Sequence, residues 1–181
     1  MIRNLSFALL AVFGIAGQAL ADGGIFTRFY SGTEATGSIG RGSEASSLKT
    51  VGGFLGASRT DGQLYSAVEG EVAIGLGFEE DLSSDFEPQR AASLSAIAGV
   101  HATQDLVLFG RVGVEYAQLR ARRGGEVRTR RAAGLRLGIG ADYAFTPGFR
   151  VRAEVGRSFF GSVDSDHMEQ TEIRIGLINQ F

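Results

Sequence analysis

The sequence predicts an all-β chain: an eight-stranded antiparallel transmembrane barrel of up-and-down topology, preceded by a cleaved signal peptide. Three observations carry that prediction. The amino terminus reads as an export signal. Segments whose apolar residues recur at period two then follow one another to the final Phe181. The links between them alternate between short turns and longer polar loops, as in barrels of the bacterial outer membrane.

Arg3 supplies a positive start, Leu5 to Ile15 is almost wholly apolar, and Ala19-Leu20-Ala21 has the small-x-small pattern of a signal peptidase site. Residues 1–21 are therefore expected to be removed before Asp22, leaving 22–181 as the barrel domain. The apolar run is too short for a spanning helix, and nothing later approaches the roughly 20 apolar residues such a helix needs. A soluble periplasmic protein would share this signal, so the strands must decide.

Strands are expected near 24–31, 46–58, 64–78, 90–101, 106–120, 130–145, 149–159 and 168–181. The first rests on Ile25 to Tyr30, which do not alternate cleanly. The second contains Val51 to Gly56 and stops before Arg59-Thr60-Asp61-Gly62-Gln63. The third sets Val68, Val72, Ile74, Leu76 and Phe78 against Glu69, Glu71, Ala73 and Gly75. The fourth ends at the short link Ala102-Thr103-Gln104-Asp105. In the fifth, Leu106, Leu108, Gly110, Val112, Val114 and Tyr116 oppose Arg111, Gly113, Glu115 and Ala117. The sixth sets Ala133, Leu135, Leu137, Ile139, Ala141, Tyr143 and Phe145 against Arg136, Gly138, Gly140 and Asp142. After Thr146-Pro147-Gly148, the seventh sets Phe149, Val151, Ala153 and Val155 against Arg150, Arg152, Glu154 and Gly156. The eighth sets Thr171, Ile173, Ile175, Leu177, Asn179 and Phe181 against Glu172, Arg174, Gly176, Ile178 and Gln180. A helical period would mix these two sets.

The Asp-Gly and Pro-Gly pairs are turn formers, Gly supplying positive φ and Pro a preset φ. Short links after the second, fourth and sixth strands would face the periplasm, with longer loops outside. An even strand count then puts both termini in the periplasm. Outward aromatics gather at both margins: Tyr143, Phe145, Phe149 and Phe181 near the short turns, and Phe78, Tyr116 and Phe159 near the long loops. A soluble barrel such as a lipocalin could use the same alternation with apolar residues inside. The girdles, the signal and the terminal Phe181 favour the membrane.

Composition narrows the function classes. No Cys means no disulfide, no thiolate metal site, no catalytic thiol and no lipoprotein anchor. The mature chain of about 160 residues suits one domain. A formal charge of −2 gives no reason to expect a nucleic-acid partner. It hides an asymmetry, however: Lys49 is the only lysine, and the arginines crowd between Arg111 and Arg136.

At the level of pattern the chain resembles the eight-stranded outer-membrane barrels of the OmpA-like, OmpX-like and opacity-protein-like porin families. The resemblance covers the mature chain. It is carried by Val51-Gly52-Gly53-Phe54-Leu55-Gly56, by Gly134 to Tyr143, and by Ile173 to Phe181. It implies integral residence in the outer membrane, contact with its lipid and lipopolysaccharide, and delivery by the barrel-assembly machinery reading Phe181 as a C-terminal insertion signal. Asn179 departs from that signal, which usually keeps a hydrophobic residue there. The peptidoglycan-binding domain of full-length OmpA-like proteins is expected to be absent, and the barrel is expected to be a monomer.

The candidate site residues follow from the register. Glu69, Glu71, Arg111, Glu115, Arg136, Asp142, Arg150, Arg152, Glu154, Glu172 and Arg174 should all point inward. Paired carboxylates can do acid–base work. In a barrel just wide enough for side chains to fill, a structural ion-pair network is the better reading, ahead of a gated pore or catalysis. On the outward face Arg120, Arg122, Arg131 and Arg157 fall above the apolar band, where guanidiniums can meet lipopolysaccharide phosphates, helped by Arg123 and Arg130 in the loop. The alternative there is a solvated basic loop.

The remaining signals are weak. His101 and His167 fall at opposite ends, and no Gly-x-Ser-x-Gly elbow or His-x-Ser pair supports a lipid A hydrolase. Asp164-Ser165-Asp166-His167-Met168-Glu169 concentrates oxygen ligands but lacks the spacing of a calcium loop, so a solvated acidic loop is expected. Gly138-Ile139-Gly140 lacks the helix that a dinucleotide fingerprint needs. No catalytic residue, cofactor or metal is expected. The function expected is a structural envelope or surface-interaction role. The alternatives are an adhesin or immune-evasion barrel binding a host ligand, and the hydrolase.

Overall fold

A computed structural model describes residues 26–40, 47–76, 86–123, 126–163 and 166–181. They form β1 (Arg28–Gly40), β2 (Ser47–Asp61), β3 (Leu64–Gly75), β4 (Phe86–His101), β5 (Leu106–Arg123), β6 (Glu126–Thr146), β7 (Phe149–Val163) and β8 (Asp166–Gln180). Each strand pairs antiparallel with the next, and β8 closes on β1. A circuit of paired residues from Tyr30 through Gly56, Glu69, Ser95, Gly113, Arg136, Ser158 and Gln170 returns to β1 at Gly40. The shear is thus ten residues, position 30 to position 40. For eight strands that corresponds to a tilt of about 40° and an interior that side chains can fill.

The short turns and both strand termini lie at one end. Gly62 (φ 60°) and Gly148 (φ 83°) make the tight turns of β2–β3 and β6–β7 in a backbone conformation that L side chains resist. Between β4 and β5 the Thr103 hydroxyl accepts hydrogen bonds from the amides of Asp105 (3.2 Å) and Leu106 (3.1 Å). Phe181 continues the β8 edge past Gln180, its amide donating to the Phe29 carbonyl at 3.0 Å.

Four expectations of the sequence need correction. The first strand is not 24–31 but runs to Gly40. Its outward residues Ser31, Thr33, Ala35 and Gly37 carry no large apolar side chain, so apolar alternation could not mark it. What holds it in the wall is pairing on both edges, Thr33 opposite Gly53 and Leu177. The link after β2 is shorter than expected, because Arg59, Thr60 and Asp61 pair with Ser66, Tyr65 and Leu64. The arginine-rich stretch is not a loop. β5 and β6 stay paired from Gln118–Arg131 to Arg123–Glu126, so Arg123 and Arg130 belong to strands. Likewise Asp166 to Glu169 begin β8 rather than forming a loop. The expected signal peptide, Phe78, Asp164 and Ser165 lie outside the described residues.

Candidate functional site

Period two sends alternate side chains of every strand into the lumen or out of the wall. The sorting is inside-out. Arg152, Ser158, Glu69, Asp142 and Arg136 are fully buried, while Val112, Val114, Leu135, Leu137, Ile139, Ile173, Ile175 and Leu177 are exposed.

The lumen is built in layers. At the short-turn end Tyr30, Phe54, Tyr65, Ala67, Ile97, Val107, Phe109 and Ile178 form an apolar cluster. A first charged layer sits in and above it. Arg152 grips Asp142 through Nε (2.8 Å) and Nη2 (2.9 Å) and reaches Glu69 with Nη1 at 2.6 Å. Its guanidinium carbon lies 5.2 Å from the Phe54 ring centroid and 5.0 Å from that of Phe109, within cation–π range of both. Arg111 bridges Glu69 (2.6 Å) and Glu154 (2.9 Å), and the Tyr30 hydroxyl donates to Glu69 at 3.1 Å.

A second charged layer lies further along the strands. Arg136 donates from Nη1 (2.8 Å) and Nη2 (2.9 Å) to Glu71, and from Nη1 to the Ser93 hydroxyl at 3.1 Å. Arg174 takes Glu34 at 2.8 Å and Glu71 at 3.0 Å with Nη1, and Glu172 with Nε and Nη2. Beyond this layer, at the next inward positions, Ala117, Ala132 and Phe160 pack together with Ala91. This small apolar cluster, contributed by β4 to β7, lies toward the end away from the short turns.

Ten of the eleven residues expected inside are buried in these two layers: Glu69, Glu71, Arg111, Glu115, Arg136, Asp142, Arg152, Glu154, Glu172 and Arg174. Arg150 is half-buried and lines a shallow pocket at the short-turn mouth with Tyr30, Tyr65, Asp142, Ile178 and Gln180. It makes no ion pair among the described residues. Sequence reasoning missed Glu34, Tyr30, Ser93 and Ser158. Glu34 was lost with the misplaced first strand; its signal was present in the strand that must close against β8, one acid inward beside Arg174.

On the outer face Arg131 and Arg157 are exposed. Arg120 and Arg122 have their backbones in β5, and their side chains lie outside the described residues. Arg157 differs from expectation. It sits directly opposite Leu137 and two residues short of Phe159, about 5 Å below that aromatic, so it lies within the apolar band rather than above it. Arg90, which the sequence did not single out, is exposed and shares a cross-strand row with Gln118 and Arg131. Phe181 is 74 % exposed on the outer face beside Phe149, Phe145 and Tyr143.

An apolar exterior around a charged, filled interior is the distribution that lipid demands and water forbids. It rejects the soluble-barrel alternative. The outer membrane protein beta-barrel domain model matches residues 6–181. The chain belongs to the outer-membrane β-barrel family.

Solved barrels of the family share its fold. Ail, the attachment invasion locus protein of Yersinia pestis, is 15 % identical with a TM-score of 0.60, over 85 % of this chain and 97 % of Ail. Neisserial surface protein A is 19 % identical with a TM-score of 0.56, over 84 % and 97 %. The N-terminal barrel of Pseudomonas aeruginosa OprF is 15 % identical with a TM-score of 0.54, over the same shares. Identities this low establish architecture alone. No curated protein matches the sequence.

Chemically, the lumen of this barrel offers charge pairing. The buried carboxylates are engaged by guanidiniums or hydroxyls. His101 lies at the short-turn end with its ring edge-on to Tyr65, centroids 6.3 Å apart.

Proposed function

We propose that this protein is a closed, non-conducting structural barrel that reinforces the outer membrane by holding lipopolysaccharide at its basic rim. The observation that carries the first half is the lumen: four guanidiniums, of Arg111, Arg136, Arg152 and Arg174, cross-link carboxylates from β1, β3, β6, β7 and β8. Such a network ties non-adjacent strands together across the interior.

The outer half rests on the placement of the basic side chains. With the short turns in the periplasm, Arg90 and Arg131 flank Gln118 near the outer headgroup level. Arg157 sits a little deeper, where a long side chain snorkels upward. Guanidiniums match phosphate oxygens by bidentate hydrogen bonding. Arg120 and Arg122 continue the β5 edge beyond this row. A triple Arg90, Arg131, Arg157 to Ala variant should co-purify with less lipopolysaccharide than wild type. It should also lose most of the thermal stabilisation that added lipopolysaccharide gives. Equal stabilisation of both proteins would return the row to a solvated basic surface.

A second reading, a surface adhesin, is favoured by one observation. β5 and β6 remain a paired ribbon from Tyr116–Ala133 out to Arg123–Glu126, well past the outer aromatic level. A stiff arginine-rich ribbon suits an anionic partner outside the cell. Loss of host-cell binding on shortening that ribbon, with the barrel intact, would support it.

A further inference from the structure

The second charged layer does not balance. Two guanidiniums, Arg136 and Arg174, face four buried carboxylates, Glu34, Glu71, Glu115 and Glu172. Arg174 Nη1 has two hydrogens for three oxygens: Glu34 Oε1 at 2.8 Å and both Glu71 oxygens at 3.0 Å. Glu34 Oε2 is buried with no hydrogen-bond partner, on a side chain only 1 % exposed. Arg136 Nε is buried without a partner as well, 3.9 Å from Glu172, so the guanidinium hydrogens of the layer do not reach every carboxylate oxygen.

Ser158 stands between two of these carboxylates. Its buried Oγ lies 2.9 Å from Glu115 Oε2 and 3.0 Å from Glu172 Oε1. A hydroxyl has a single hydrogen, so it can donate to only one of two carboxylates. The other contact is a hydrogen bond only if that carboxyl carries a hydrogen and donates it to Oγ. Glu172 already accepts from Nε and Nη2 of Arg174, with Arg136 Nε at 3.9 Å, so it is the carboxyl of the two that has cationic partners. Glu115 pairs with no guanidinium among the described residues. A buried carboxylate without a counter-charge takes up a proton rather than stay ionised.

We infer that Glu115 is a proton-binding site of the lumen: its carboxyl donates to Ser158 Oγ, which donates in turn to Glu172 Oε1. The carboxylate gains one proton from water on assembly, and no other bond changes. The buried charged and polar groups around it are Glu34 and Thr36 from β1, Glu71 from β3, Ser93 and Ser95 from β4, Arg136 from β6, Ser158 and Glu154 from β7, and Gln170, Glu172 and Arg174 from β8. β2 presents no charged side chain to this layer. The carboxyl is buried, with Ala117, Ala132 and Phe160 packed next along the strands, so its occupancy couples the cohesion of the lumen to pH. The inference rests on the sealed lumen and is independent of lipopolysaccharide contact.

The sign follows from linkage. The folded barrel keeps at neutral pH a proton that the unfolded chain gives up above about pH 4. Between there and the pH at which the folded carboxyl itself ionises, stability falls as pH rises, about tenfold in the unfolding equilibrium per pH unit for one proton. The test uses the full barrel refolded in lipid vesicles. Infrared spectra at neutral pH should show the carbonyl band of a protonated carboxylic acid, weakened in Glu115→Gln, with a pH slope of stability shallower by about one proton. Glu172→Gln should be less stable than Glu115→Gln, because it takes an anion from Arg174. Should Glu115→Gln fail to fold, Ser158→Ala keeps both carboxyls and should shift the same band. An unchanged band in Glu115→Gln or in Ser158→Ala overturns the inference. So does a stability that tracks sodium or calcium concentration with no acid carbonyl band.

Discussion

The guanidinium of Arg152 meets the Asp142 carboxylate edge to edge, Nε to Oδ1 at 2.8 Å and Nη2 to Oδ2 at 2.9 Å. The pair joins directly opposed residues of β6 and β7, and Arg152 Nη1 then crosses the lumen to Glu69 on β3. A local cross-strand contact thereby becomes a strut across the barrel. Removing one member of a buried pair strands the other charge in a site without water.

Arg152→Met should therefore destabilise the barrel by about 3–5 kcal/mol, since it leaves both Asp142 and Glu69 without this partner. Arg152→Lys should recover only part of that, because an ammonium cannot reproduce the bidentate contact or the stacking between Phe54 and Phe109. Urea unfolding in lipid vesicles measures both.

The outer wall makes a different prediction. Leu137→Arg or Val112→Arg should cost about 2–4 kcal/mol, as expected of a cation near the bilayer midplane. The same change at Gln63, exposed in a short turn, should be near neutral. At Gly138, where an added Cβ would already press on the Glu154 carboxylate, a large side chain should act through lumen crowding instead. Equal tolerance at Leu137 and Gln63 would remove the lipid-facing assignment.

Legibility tracked the contrast between the two faces of each strand. In β7 and β8 every outward residue from Val151 to Val155 and from Ile173 to Leu177 is apolar and their neighbours are charged or small, so register could be read directly. β1 offers Ser31, Thr33, Ala35 and Gly37 outward against Tyr30, Gly32, Glu34 and Thr36 inward. Polarity there has no period, and only closure against β8 and β2 defines the strand. The lumen charges were legible one by one because each sits on a readable strand. Their division into two layers was not, since it depends on which strands face one another across the interior. Arg157 misled for a similar reason: its height is set by the register with Leu137 and by the tilt, and neither is visible along one strand.

Turn geometry gives a third prediction. Gly62 holds φ at 60° and has open space where a Cβ would stand, so Gly62→Ala tests backbone strain alone. It should cost about 1 kcal/mol and leave the fold intact. Gly56→Ala is the contrasting case: its Cβ would collide with the Tyr30 ring, whose hydroxyl donates to Glu69. That variant should be the less stable of the two, and thermal unfolding of both would rank them.

The central claim is that side chains fill and seal the lumen. Single-channel recording of the full barrel in planar bilayers tests it most directly. Two ion-paired layers interleaved with packed apolar side chains predict no steady conductance for wild type. Brief openings should appear only in variants such as Arg152→Met that break a strut. A large, stable, open channel in the wild-type protein would contradict the sealed lumen and make it a pore.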